Sequence, residues 1–128
     1  MKWAPLLIIA AILLVIVLLK KSSQIAAKDA AAYLKDGALV IDVRSPGEFD
    51  SGHLPTAINI PLDELESAMP RRVTDKSQVL LLHCQSGMRS GIAKQKLKGM
   101  GYTNAFNLGS FSRARDLVGN AGGLTLKE

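Results

Sequence analysis

The chain of 128 residues is poor in several residue types that define common classes of protein, with one cysteine, two histidines and aromatic residues at only 5%. One cysteine cannot form an internal disulfide, so an apolar core has to stabilise the fold. Two histidines and one cysteine show no ligand spacing, so we predict no metal site and no cofactor. A nucleic-acid interface is not predicted, because no basic run exceeds Arg71–Arg72 and no aromatic residues are interleaved with it.

Charge is absent from residues 3–19, which form one long apolar run. As a helix this run would be about 26 Å long, near the lower limit for crossing a bilayer. Lys2 before it and Lys20 and Lys21 after it could reach the lipid head groups. We therefore predict a transmembrane anchor over residues 1–21 that contacts the membrane through residues 3–19. A cleaved signal peptide is the alternative, disfavoured because no convincing small-residue cleavage site follows the run.

The lysines also predict an orientation. Lys20, Lys21 and Lys28 follow the apolar run, whereas only Lys2 and the amino terminus precede it. Positive flanks stay on the cytoplasmic side, so we expect a single-pass protein of the inner (cytoplasmic) membrane with its domain in the cytoplasm. A reducing compartment would also protect a reactive thiol. The remaining residues, 22–128, have the length of one ordinary domain.

Strand and helix patterns alternate along residues 22–128. Compact apolar or β-branched runs predict strands, and helical periodicity with glycine or proline boundaries predicts the segments between them. The predicted strands span residues 38–43, 57–60, 78–84 and 105–108. Residues 24–35 are predicted to form a short lead-in and then a helix, and further helices are predicted at residues 62–66, 91–99 and 110–117. This alternation predicts an α/β fold whose mainly parallel sheet is covered by helices on both faces, with the site at the carboxyl ends of the strands.

Cys84 stands at the end of one predicted strand, immediately before a glycine-containing segment that leads into a helix. Backbone N–H groups of such a loop can converge on the sulfur, and together with the helix dipole they stabilise a thiolate. Arg89 adds a positive charge. We predict that Cys84 is a nucleophile and that the following residues bind its substrate. These loop residues are Gln85, Ser86, Gly87, Met88, Arg89 and Ser90. The alternative is an inert buried cysteine, which would need neither the glycine nor the arginine.

Asp42 and Arg44 end a second predicted strand, so we expect them at the same edge of the sheet as Cys84. We assign them a supporting role, in which Asp42 orders the loop and Arg44 forms a local ion pair with Glu48. His83 precedes Cys84 on the strand and is expected to point to the opposite face as a packing residue.

Three passages resemble single-domain rhodanese-like proteins. Residues 41–61 resemble the stretch IDVR…E(Y/F)…GHIPGAINIP, residues 84–90 resemble CxxGxRS, and residues 101–109 resemble GYxNVxxLxGG. One such motif would be weak evidence, but the three occur in the family's order.

The resemblance implies an α/β fold with a central, mainly parallel five-stranded sheet flanked by helices, here preceded by the predicted transmembrane helix. It also implies a sulfurtransferase in which Cys84 takes sulfane sulfur from thiosulfate or a persulfide and passes it to a thiophilic acceptor. Small sulfur-containing substrates and thiol acceptors are thus the expected partners, and no protein partner is indicated.

Gln85 departs from the family pattern, since many thiosulfate-using members have arginine there. The alternative function is therefore a membrane-tethered non-catalytic or persulfide-carrier module that acts by binding a partner. A cysteine phosphatase or arsenate reductase is a third hypothesis. It is disfavoured because four residues separate Cys84 from Arg89, whereas cysteine phosphatases use five.

Overall fold

The computed structural model describes residues 2–121 and contains six α-helices and four β-strands in that range. The helices are α1 (Ala4–Ser22), α2 (Ala27–Lys35), α3 (Pro46–Asp50), α4 (Leu65–Arg72), α5 (Met88–Gly99) and α6 (Phe111–Ala121). The strands are β1 (Leu39–Asp42), β2 (Ile58–Asn59), β3 (Leu80–His83) and β4 (Ala105–Gly109). A 3-10 turn, Leu62–Glu64, precedes α4.

The four strands form one parallel sheet in the order β2-β1-β3-β4. The predicted α/β architecture is confirmed, but five strands is wrong for the described residues. Only an isolated parallel bridge between Gln24 and Asn107, with Ile25 N–H donating to the Asn107 carbonyl at 2.9 Å, extends the sheet beyond β4. Helix α2 begins at Ala27, so too few residues remain there to form a strand.

Apolar side chains cover both faces of the sheet, as the continuous apolar strands predict. On one face Ile41, Leu80 and Leu82 pack with Leu65 of α4 and Leu97 of α5. On the other face the sheet packs against α2 and α6. The residues of that second cluster include Val40, Leu81, Leu108, Ala30 and Ala114. Cys84 belongs to the first cluster, so it faces α4 and α5.

Helix α4 continues through Pro70 and ends at Arg72, six residues after the end of the helix predicted at residues 62–66. Proline lacks the N–H that would bond the Glu66 carbonyl, and this loss disfavours a helix interior. Here Glu66 and Pro70 are exposed, so water can reach the free carbonyl. Leu65 and Met69 are both fully buried, and this burial holds the helix together.

The predicted transmembrane anchor is not supported. Across residues 2–121, none of the helices has the combination of length and apolar character needed to cross a bilayer. The predicted single-pass location in the inner membrane, with its orientation, is therefore wrong. A domain boundary at residue 22 stays a prediction.

Deleting residues 1–21 should leave the rest of the chain folded with nearly unchanged thermal stability. The large apolar side chains from Trp3 to Leu19 are 52–75% exposed, so their removal takes little buried surface from the core. We expect the midpoint of thermal unfolding to shift by less than about 4 °C, equivalent to about 1 kcal/mol. Leu82→Ala, which cuts a fully buried side chain, is the matched positive control and should cost about 2–5 kcal/mol. Loss of cooperative unfolding in the truncated chain would contradict the independence of this domain.

Candidate active site

Cys84 follows the last residue of β3 and is the first residue of a short loop that leads into α5. Its N–H donates to the Gly109 carbonyl at 3.2 Å, which ties it to the end of β4. Its exposed fraction is 0%. The strand end thus holds the thiol inside the sheet edge, where neighbouring groups can control its charge.

Two donors contact the sulfur directly. The Gly87 N–H donates to Cys84 Sγ at 3.0 Å, and the Ser90 hydroxyl lies at 3.5 Å from the same atom. Gly87 has φ of +95°, a left-handed conformation that turns its N–H inward and that glycine adopts without strain. A Cβ there would also lie 3.3 Å from Gln24 Nε2. The glycine is therefore part of the geometry that stabilises the sulfur.

The pKa of the Cys84 thiol reflects two opposing influences. Burial is the largest single one and raises the pKa, because it disfavours the charged thiolate. The Ser90 hydroxyl and the backbone N–H groups of Ser90, Gly87 and Ser86 lower it, and together they outweigh burial. The pKa of Cys84 is therefore lower than that of an ordinary thiol, which gives a larger thiolate fraction at neutral pH.

Asn107 holds this loop in place, and the sequence analysis missed it. Its Oδ1 accepts from Gly109 N–H at 2.9 Å, and its Nδ2 donates to the Gly87 carbonyl at 3.2 Å. The same Oδ1 lies 2.7 Å from Ser90 Oγ, whose single hydrogen is shared between Asn107 Oδ1 and Cys84 Sγ. A buried amide in a strand must find such partners. An asparagine within the predicted apolar strand at residues 105–108 was the available signal.

Asp42 and Arg44 lie at the same sheet edge, as predicted, but they reach the loop through Gln85. Both Asp42 oxygens accept from Arg44, at 2.7–3.0 Å, and both residues are buried. Arg44 also donates to the Gly52 carbonyl at 2.7 Å and to Gln85 Oε1 at 3.3 Å. The buried ion pair therefore orders two loops, and the position of the Gln85 side chain depends on it.

The predicted ion pair between Arg44 and Glu48 is wrong. Glu48 instead pairs with Arg89, through a bidentate contact of 2.7 and 3.0 Å. Arg44 is held by Asp42 two residues away, so no free N–H of its Nε–Nη2 edge points toward Glu48. The contact between Glu48 and Arg89 joins residues 41 positions apart, and local sequence does not reveal such a pair.

His83 lies on the face opposite Cys84, as predicted, 5.8 Å from the ring of Phe111. Its Nδ1 contacts the Cys84 carbonyl at 3.1 Å, so this nitrogen carries the proton. Its Nε2 has no hydrogen-bond partner and lies 3.7 Å from Asp42 Oδ2. Burial is the main reason that the pKa of His83 is lowered, and the ring is neutral at pH 7.

The remaining loop residues have different environments. Ser86 forms an isolated antiparallel bridge with Ser110, which fastens the loop to the start of α6. Met88 is 67% exposed and presents an apolar side chain to solvent beside the loop. Within residues 2–121 there is no group of three acidic, histidine or cysteine side chains that could hold a metal ion.

Comparison with protein families supplies the identification. The model of the rhodanese-like domain matches residues 26–114, which include all four strands and the Cys84 loop. The chain belongs to the rhodanese-like family. The match starts after α1 and ends within α6, so it covers the sheet and most of its flanking helices.

Relatives of this rhodanese-like chain include characterised and uncharacterised proteins. It is 42% identical to thiosulfate sulfurtransferase PspE of Escherichia coli over 69 residues, 54% of this chain and 66% of that protein. It is 44% identical to the uncharacterised protein YqhL of Bacillus subtilis over 84 residues, 65% of this chain and 64% of that protein. The chain thus spans just under two thirds of the length of these two relatives.

Solved structures show the same fold. A rhodanese with anions from E. coli aligns with a TM-score of 0.58 and 38% identity, covering 60% of this chain and 91% of that one. A human single-domain sulfurtransferase aligns with a TM-score of 0.63 and 29% identity, covering 73% and 96%. The alignments extend over nearly the whole of both solved chains.

Replacing Ser90 with alanine should raise the pKa of Cys84. The Ser90 hydroxyl favours the thiolate, so its loss shifts the equilibrium toward the thiol. The rate of Cys84 alkylation by iodoacetamide, measured against pH, should keep its plateau but have its midpoint at higher pH. Ser67→Ala removes an exposed hydroxyl that bonds the Glu64 carbonyl and should leave the midpoint unchanged. An unaltered midpoint in Ser90→Ala would show that this hydroxyl does not act on the sulfur.

Proposed function

We propose that this rhodanese-like protein is a sulfurtransferase that moves sulfane sulfur from thiosulfate or a persulfide donor to a thiophilic acceptor through a persulfide on Cys84. The observation that carries the proposal is the convergence of the Gly87 N–H and the Ser90 hydroxyl on Cys84 Sγ, at 3.0 and 3.5 Å. Donors in these positions can stabilise negative charge on sulfur. The names of a thiosulfate sulfurtransferase and a human sulfurtransferase among the relatives support the same activity.

The reaction consists of two displacements at sulfur. In the first, the Cys84 thiolate attacks the outer sulfur of the donor, a new S–S bond forms, and the old S–S bond breaks. With thiosulfate, the electron pair of that bond leaves with sulfite, and with a persulfide it leaves with the donor thiolate. In the second, the acceptor attacks the outer sulfur and the Cys84 thiolate leaves. No external oxidant or reductant is needed.

The loop contributes to both steps in this proposal. The Gly87 N–H and the Ser90 hydroxyl stabilise the attacking thiolate, and the N–H groups of the loop can also stabilise the outer sulfur once it carries the charge. Asn107 positions Ser90 and Gly87 by hydrogen bonds to both. Asp42 and Arg44 act at a distance, because they orient Gln85 and contact no sulfur atom. Cys84 is the only residue proposed to form a covalent intermediate.

Cys84→Ser should abolish sulfur transfer while the fold is retained. An oxygen nucleophile has a far higher pKa and cannot carry sulfane sulfur, so we expect a loss of at least about a thousandfold. Transfer from thiosulfate to cyanide measures the activity, and circular dichroism with thermal unfolding measures the fold. Ser112→Ala, an exposed position on α6, is the matched control and should retain activity. Activity in the Cys84→Ser variant comparable to the parent would contradict the mechanism.

Intact mass spectrometry of the parent chain tests the intermediate directly. Incubation with thiosulfate, or with a persulfide donor, should add about 32 Da that is lost when excess thiol is added. A stable persulfide without turnover would instead favour the carrier module. Hydrolysis of p-nitrophenyl phosphate without any sulfur adduct would favour the phosphatase hypothesis.

A further inference from the structure

Both arginines that border the Cys84 loop are paired with carboxylates. Arg44 is held by Asp42, and Arg89 is held by Glu48 in a bidentate contact. The four charges sum to zero. Arg113, near the end of β4, has no carboxylate contact within residues 2–121 but donates to the carbonyls of Leu108 and Ile25. The segment after Cys84 therefore contains one cation, Arg89, and the charge of Arg89 is already paired with Glu48.

Glu48 is held in position by the start of α3 as well as by Arg89. Its Oε1 accepts from the N–H of Ser45 at 3.2 Å and from the Ser45 hydroxyl at 3.1 Å, while its own N–H donates to Ser45 Oγ at 3.3 Å. This reciprocal pattern is a capping box. Hydrogen bonds from Ser45 thus hold the Glu48 carboxylate independently of Arg89, and the carboxylate orients the Arg89 guanidinium toward α3.

We propose that Glu48 is a specificity-determining residue, which neutralises Arg89 and thereby favours organic persulfides over doubly charged donors such as thiosulfate. This inference rests on the proposed sulfurtransferase function. An unpaired Arg89 would attract a dianion more strongly than a monoanion, because the Coulomb energy is proportional to charge. The neutralised pair removes most of that difference.

Two further observations support this assignment. Glu48 is negatively charged at neutral pH, because hydrogen bonding from Arg89, opposed by burial and helped by Ser45, lowers its pKa to about 2. Arg89 also lies in the first turn of α5, directly before Ser90, whose hydroxyl is 3.5 Å from Cys84 Sγ, so its charge lies beside the sulfur. A change in the net charge of the Glu48–Arg89 pair should consequently affect an anion that approaches Cys84.

The main experiment compares two donors in the full chain and its Glu48→Gln variant. Glutamine can also form the capping box, so the change removes charge and preserves shape. We expect kcat/KM with thiosulfate to rise by about 3–10-fold relative to kcat/KM with 2-hydroxyethyl persulfide, which carries at most one negative charge. The relative gain should disappear in about 1 M salt, where the screening length is about 3 Å.

A second measurement is independent of sulfur transfer. Iodoacetate and iodoacetamide alkylate the same thiol, but only iodoacetate is an anion. Their rate ratio at Cys84 cancels any change in the thiolate fraction, which affects both reagents equally. At low salt, Glu48→Gln should raise the ratio of the iodoacetate rate to the iodoacetamide rate by the same factor of about 3–10, because the variant again lacks one negative charge.

Two controls separate charge from structure. Ser45→Ala breaks the cap but leaves the charge of Glu48, so it should lower the thermal midpoint and leave both ratios unchanged. The double variant Glu48→Gln with Arg89→Gln is again neutral and should restore both ratios toward the parent values.

Unchanged ratios in Glu48→Gln, or a rise that persists in the double variant, would overturn the inference. Absence of a sulfur adduct on Cys84 with either donor would instead refute the proposed function, and the alkylation ratio would still test Glu48.

Discussion

The site depends on the placement of a buried sulfur at the end of β3, where a short loop directs hydrogen-bond donors at it. The loop keeps this shape because it is fastened to the end of β4 at several points, by Asn107, by the Gly109 carbonyl and by the bridge between Ser86 and Ser110. Burial alone would raise the pKa of Cys84, so the donors have to outweigh it. The lowered pKa of Cys84 thus depends on β3 and β4 ending side by side, because the contacts between the two strand ends hold the donors near the sulfur.

Charge pairing gives the surroundings of the thiol a second property. Asp42 forms an ion pair with Arg44 at the end of β1, and Glu48 of the short helix α3 forms an ion pair with Arg89. The first pair is buried and organises Gln85 and the Gly52 loop, whereas the second is about one third exposed. An exposed pair contributes little to stability. In our proposal, the Glu48–Arg89 pair acts mainly on the electrostatic field that an anionic donor meets near Cys84. It therefore affects specificity more than stability.

Much of the fold could be predicted because its signals are local. The apolar runs that became β1 and β3 were recognised, and so were the alternation with helices and the sheet edge shared by Asp42 and Cys84. Three predictions were wrong. Pro70 did not end α4, because burial of Leu65 and Met69 outweighed one lost hydrogen bond. The resemblance to rhodanese-like proteins implied a fifth strand, but the segment at Gln24 and Ile25 forms only one bridge to the sheet, and within residues 2–121 none of the helices meets the length and apolar character that a membrane span requires.

The sequence by itself determined which candidate groups lie together, since Cys84, Gly87, Arg89 and Ser90 all stand within residues 84–90, at the end of β3 and the start of α5. Tertiary structure decided which partners those residues have. Arg89 meets Glu48 across 41 positions, and Ser90 meets Asn107 across 17, because β1, β3 and β4 end at one edge of a parallel sheet. Contacts of this kind depend on strand order and on helix position. A single sequence specifies them only through the complete fold, and they set the charge and the rigidity of the loop.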